Sequence, residues 1–108
     1  RFALRLSSQD NVLWWHRNPE RGDGFCINGY INHYPDFIIM LKSGKIVLAE
    51  TKGEMLKNDD SRQKIELGAA WTNATDKQFR YCMVFDEGVE PLSGAYSLEG
   101  FLELISEI

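Results

Sequence analysis

Three ionisable side chains near the middle of the chain have the types and spacing of a small hydrolytic centre. Asp36 follows Pro35, thirteen residues separate it from Glu50, and Lys52 stands two positions further on. Two carboxylates can hold a hard divalent cation, magnesium or manganese, and a lysine beside them can stabilise a developing oxyanion or help to deprotonate an attacking water. The chemistry implied is metal-assisted hydrolysis of a phosphate ester. Whether the three groups meet depends on how the residues between them fold.

Those residues, in the stretch Tyr34-Pro35-Asp36-Phe37 to Ala49-Glu50-Thr51-Lys52-Gly53, read as two apolar strands around a turn at Ser43-Gly44. The turn can close in two ways. A two-residue loop at Ser43-Gly44 pairs Lys42 with Lys45 and sets Asp36 opposite Thr51, leaving Asp36 and Glu50 on opposite faces. A three-residue loop, Lys42-Ser43-Gly44, with Gly44 in the left-handed conformation, pairs Leu41 with Lys45 and sets Asp36 opposite Glu50. Side chains alternate with period two, so Lys52 then shares a face with Glu50. Facing carboxylates, with Cβ atoms ~4.5–5.5 Å apart, repel each other unless a cation lies between them. The plainer alternative is that Asp36 caps the strand entrance beside Pro35, while Glu50 and Lys52 pair at a solvated strand end.

The elements around this hairpin predict an α/β domain with a mixed sheet flanked by helices. Phe2, Ala3, Leu4 and Leu6 fit a short helix over residues 1–9, and Val12-Leu13-Trp14-Trp15 fits a strand. Asn18 to Gly24 is dense in turn formers, and Phe25 to Ile31 reads as a strand bent near Gly29. Asn58, Asp59 and Asp60 suit the start of a helix over Ser61 to Asn73, with Ile65, Ala69 and Thr72 on one side and Gly68 and Ala70 permitting close approach to a sheet. Gln78 to Phe85 reads as a strand and Gly88 to Gly94 as a loop. Ser97 then caps a final helix with an apolar stripe at Leu98, Phe101, Leu102 and Ile105. The element order is α-β-β-β-α-β-α.

Composition bounds the possibilities. The 108 residues suit one domain, and 44% hydrophobic with 26% charged residues is a globular balance. No apolar run approaches a membrane span and no secretory leader opens the chain, so the expectation is a soluble, cytoplasmic protein without a membrane partner. The first residue is Arg1, as in a piece excised from a longer polypeptide. Net charge −4 and pI ≈ 5.1 argue against tight unaided DNA binding. Bound cation neutralises acidic groups, and a larger partner can deliver such a domain to DNA.

Pro35-Asp36, the thirteen-residue interval and Glu50-Thr51-Lys52 resemble the PD-(D/E)XK nuclease signature, whose acidic pair and lysine lie on a hairpin in an αβββαβ, restriction-endonuclease-like core. With Tyr34 and Phe37, Ala49 and Gly53, Trp14-Trp15-His16-Arg17-Asn18 and Lys64-Ile65-Glu66 as context, the chain looks most like the endonuclease domain that follows the helicase motor in type III restriction subunits and related helicase-like proteins. The resemblance spans residues 2–85. It implies a Mg2+-dependent DNA endonuclease, with Mn2+ able to substitute. Asp36, Glu50 and the backbone carbonyl of Thr51 would hold the metal, and Lys52 would be the catalytic lysine. It also implies DNA, a helicase/ATPase region of the same polypeptide and a modification or specificity subunit as partners. Many members add an acidic residue from the first helix. Here residues 1–9 contain none, and Asp10 lies at or past the helix end, so that ligand either lay upstream of Arg1 or is dispensable. Some relatives use a polar residue from the helix after the lysine strand, for which Gln63 and Lys64 are the candidates. Lys57, Arg62, Lys64 and Arg17 are further candidates for phosphate contact, with Lys57 and Arg62 equally readable as solvated surface.

Other readings stay open. A catalytically silent nucleic-acid-binding or docking module would keep the fold without the chemistry, and a resolvase or repair nuclease would share the chemistry on another substrate. His16, Cys26, His33 and Cys82 match no compact zinc spacing and read as structural. Trp14 and Trp15 suit either base stacking or the core, with at least one expected to pack inward. No P-loop, nucleophile elbow or dinucleotide fingerprint occurs.

Overall fold

The structure is a computed structural model that describes residues 2–18, 27–28, 32–33, 35–53, 59–76, 78–86 and 88–108. In chain order the elements are α1 (Phe2–Ser7), β1 (Val12–Arg17), β2 (Ile27–Asn28), β3 (Asn32–His33), β4 (Phe37–Leu41), β5 (Ile46–Lys52), α2 (Asp59–Ala74), β6 (Phe79–Phe85), β7 (Tyr96–Ser97) and α3 (Leu98–Glu107). Five strands form one mixed sheet in the order β1-β4-β5-β6-β7, and β2 pairs with β3 apart from it. The first two ladders are antiparallel and the last two parallel. A mixed α/β architecture is therefore observed. Among the described residues no helix is long and apolar enough to cross a membrane.

Alternation along the strands divides the sheet into two differently used faces. On the first, Phe37, Ile39, Leu41, Val47, Ala49, Cys82 and Val84 pack with Leu6 of α1 and the stripe Leu98, Phe101, Leu102 and Ile105 of α3. All four stripe residues are buried, and the Ser97 hydroxyl accepts from the Gly100 N–H at 3.0 Å, so the capped final helix has the form its sequence predicts. On the second face Leu48, Tyr81, Met83 and Phe85 are buried, with Ile38, Ile46, Ile65, Leu67 and Trp71 packed against them. Here α2 lies over β6, and Gly68 permits it: a Cβ at that position would stand 2.0 Å from Tyr81 Cδ2.

Several expectations need correction. Ala69 and Ala70 are exposed rather than turned to the sheet, because the packing side of α2 runs through Ile65, Gly68 and Trp71. The strand expected over Phe25 to Ile31 contributes Ile27–Asn28 to the small β2–β3 sheet rather than to the main one. The short parallel strand β7 has no counterpart in the sequence reading. Lys57, Asn58, Cys26 and Gly29 lie outside the described residues, as do the side chains of His33, Asp59 and Asp60.

Candidate functional site

The β4–β5 turn takes the three-residue closure. The Leu41 N–H donates to the Lys45 carbonyl at 2.9 Å, the Gly44 N–H donates to the Leu41 carbonyl at 2.9 Å, and Gly44 has φ 95°. A left-handed residue is what this bulge requires, and glycine adopts it without steric penalty. The register that follows pairs Met40 with Ile46, Ile39 with Val47, Ile38 with Leu48 and Phe37 with Ala49. One further step sets Asp36 opposite Glu50. Glu50 and Lys52 share the second face of the sheet with Leu48, at the C-terminal end of β5.

Proline shapes the corner where β4 begins. The hydrogen-bonded pairs alternate as Leu41 with Lys45, Ile39 with Val47 and Phe37 with Ala49, so the next such position would join residue 35 to Thr51. Pro35 has no N–H to give to the Thr51 carbonyl. The Thr51 N–H is taken instead by Asp36 Oδ2 at 3.0 Å, and the same oxygen accepts from the Thr51 hydroxyl at 3.0 Å. Asn18 holds the other side of the corner. Its N–H donates to the Asp36 carbonyl at 2.7 Å and its buried side-chain Nδ2 donates to the Pro35 carbonyl at 2.9 Å. Asp36 is thus fixed from both neighbouring strands. Asn18 was legible only as part of the Trp14 to Asn18 context, and nothing in its type announced this role.

Glu50 and Lys52 form an ion pair of 3.1 Å, with side chains only 9% and 11% exposed. The pair is therefore not the solvated strand end of the plainer reading, although Asp36 does cap a backbone amide as that reading expects. Burial raises the Glu50 carboxyl above its ordinary value, and the Asp36 charge raises it further; Lys52 and then Lys64 act in the opposite sense. The four charges consequently belong to one electrostatic unit. Lys64 is half-buried on α2, whereas Gln63 and Arg62 are exposed on the neighbouring positions. Lys57 is not among the described residues.

The donor set suits a hard cation on chemical grounds: two carboxylates plus the Thr51 carbonyl, which its proline neighbour leaves without a ladder donor. Among the described residues no group of three or more His, Cys, Asp or Glu side chains lies together. The first helix adds none, because α1 contains no acidic residue, packs on the opposite face, and is followed by an exposed Asp10. His16 and Cys82 lie on opposite faces of the sheet, which removes them as a shared zinc set. In comparison with known proteins, no family model, curated protein or solved structure matches the chain.

Proposed function

We propose that this chain is a metal-dependent DNA endonuclease domain of the PD-(D/E)XK type, with the restriction-endonuclease-like core and the likeness to type III helicase–nuclease subunits that its motif implies. The observation that carries the reading is the buried Glu50–Lys52 pair, 3.1 Å apart, held beside Asp36 at one end of a hairpin whose strands are otherwise largely apolar. A fold gains little from such a pair, since desolvation offsets most of the Coulomb attraction and a second carboxylate adds repulsion. A binding site for a cation and a phosphate accounts for all three groups.

In this proposal Asp36, Glu50 and the Thr51 carbonyl hold Mg2+ or Mn2+. The bound cation supplies charge neutralisation and Lewis acidity at the scissile phosphate. Thr51 fixes the Asp36 carboxylate and Asn18 the backbone that carries it, so that the group need not reorganise when the ligand arrives. Lys52, anchored on Glu50, presents its remaining ammonium protons to a phosphate oxygen and stabilises the charge that grows there in the pentavalent transition state. Lys64 contributes positive potential from α2.

Plasmid cleavage with Mg2+ or Mn2+ tests the reading. The chain should nick or linearise DNA at low salt, and Asp36→Ala and Lys52→Ala should each lose activity by at least ~100-fold while keeping the wild-type circular dichroism spectrum. Full activity in either variant refutes it. DNA binding without cleavage under any divalent cation favours the silent binding module.

A further inference from the structure

The main sheet is not covered evenly on the face that carries Glu50. α2 lies over β6 on this face, while β1 forms the far edge of the sheet. Trp14 pairs with Met40 and His16 with Ile38, and cross-strand partners share a face. Ile38 packs with Leu48, two positions before Glu50. Trp14 and His16 therefore stand on the same face as the acidic pair, one strand beyond β4. Their rings stack on each other, with centroids 5.1 Å apart and planes 13° from parallel. Trp14 is 41% exposed. Trp15, its sequence neighbour, is turned to the opposite face, where it meets Phe37 edge-on at 5.7 Å and donates from its indole N–H to Ser7 at 3.1 Å. One tryptophan of the pair thus serves the core and the other does not.

We infer that the stacked Trp14–His16 pair is a platform for unpaired DNA bases flanking the cleavage site, so that the preferred substrate is single-stranded on that side. The inference rests on the proposed nuclease reading for the identity of the polymer. The spacing suits it. Asn18, just past the end of β1 and bonded to the Asp36 carbonyl, marks the level of Asp36. Trp14 lies four residues back along the strand, about 13 Å at ~3.3 Å per residue. This equals about four stacked nucleotides at 3.4 Å each, and His16 lies about two nucleotides away by the same measure. A flat aromatic surface serves any base, because every base offers a π-face. Bases paired within a duplex would not be free to reach it. Lys52 and Lys64 lie at the phosphate end of the same path, where they offset the Asp36 and Glu50 charges, so that a cation bound there would leave this end positive towards a polyanion despite the net charge of −4.

The test is a fluorescence-anisotropy titration at low salt with Ca2+, using a labelled single strand of about 12 nucleotides, within the span of single-strand grooves, and the blunt duplex of the same sequence. Trp14→Ala should weaken single-strand binding roughly 5- to 150-fold, the equivalent of ~1–3 kcal/mol per stacked base. Trp14→Phe should retain most of the affinity, and duplex binding should be unchanged by either substitution. In cleavage of a substrate with an unpaired flank, Trp14→Ala should raise KM and leave kcat alone. Equal loss on single strand and duplex, or loss on neither, overturns the platform. Abasic substitutions scanned along the strand, read with the wild-type chain, provide the same test without a variant: affinity should fall at positions about two to four nucleotides from the cleavage point, and a flat profile overturns the inference. Wild-type cleavage with unchanged Trp14→Ala affinity sinks the platform alone. Loss of affinity in Trp14→Ala, with no cleavage by any chain, sinks the nuclease reading and retains the platform.

Discussion

Replacing Lys52 by methionine isolates what the buried charge pair does to the fold. Methionine keeps most of the aliphatic volume and removes the ammonium, leaving a Glu50 that is 7% exposed beside the Asp36 carboxylate. Breaking a buried ion pair by deleting one partner costs about 3–5 kcal/mol. The lower end applies here, because the Lys64 charge still reaches Glu50. A loss of ~3 kcal/mol lowers Tm by about 12 °C in a domain of this size, and stabilities of ~5–15 kcal/mol leave most of the population folded at room temperature. The assay is thermal unfolding in EDTA, followed by circular dichroism. Glu50→Gln combined with Lys52→Met should recover most of the loss, since no charge is then stranded. The same recovery should come from protonation. The folded Glu50 carboxyl lies above 4.5, so the stability of the metal-free protein associated with this group is fully present below 4.5 and is lost as pH rises through the raised value. Lys52→Met should show a steeper loss than wild type, and the double variant none from this residue. Added Mg2+ at tenfold its dissociation constant stabilises by ~1.4 kcal/mol, with a larger gain in Lys52→Met because no ammonium competes for Glu50. A single variant as stable as wild type in EDTA, or a double variant no better than the single, refutes the argument.

Two further predictions concern the packing that holds the site. Gly68→Ala should destabilise by about 2 kcal/mol, read as a lower urea midpoint at unchanged slope: overpacking against Tyr81 at 2.0 Å costs up to ~3 kcal/mol and the helix gains only ~1 from alanine. A stabilised variant would show that α2 does not rest on β6 as described. Burial pushes the Cys82 thiol up to about 12, so site-resolved mass spectrometry should find it unalkylated by iodoacetamide at pH 8 in the native protein and labelled in urea, since only thiolate reacts; native labelling would contradict its place in the core.

The hairpin could be anticipated because its information is local. Ser43-Gly44 between two apolar runs limits the closures to two, and only one of them makes the Asp36, Glu50 and Lys52 types mutually intelligible. The final helix was equally legible, with Ser97 as cap and an apolar stripe at helical spacing. Less local features were not. Which side of α2 meets the sheet depends on where Tyr81 projects from β6, and a sequence with small residues at 68, 69 and 70 offers no means of choosing among them. The division of Trp14 and Trp15 between two faces follows from their pairing with Met40 and Ile39, a tertiary fact. β7 is two residues long and exists because β6 offers an edge. Lys64 belongs to the site only because α2, packed on β6, brings its charge within reach of Glu50, which is again a tertiary fact.

In the proposed reading the two faces of the sheet separate stability from function. On the α1–α3 face the buried core is apolar and includes Phe37, Ile39, Val47 and Phe101, each no more than 3% exposed, while the exposed Arg17 lies over the Phe37 ring at 4.7 Å. The other face is apolar at Leu48, Met83 and Phe85 but ends in Glu50 and Lys52, and its β1 edge carries an exposed aromatic pair instead of a packed one. Among the described residues, local consistency between pattern and fold is broken most plainly at the end of β5 and along the adjoining face, and such breaks are expected where a chain gives up stability for chemistry. Pro35 shows the same economy at the level of a single residue. By withholding an N–H from the ladder it leaves the Thr51 carbonyl outside the β4 ladder, while its own carbonyl accepts from Asn18 and the Thr51 amide donates to Asp36. A residue with an N–H at that position would extend the ladder across the corner, drawing the Thr51 carbonyl into the sheet and removing one oxygen from the set that faces Asp36 and Glu50.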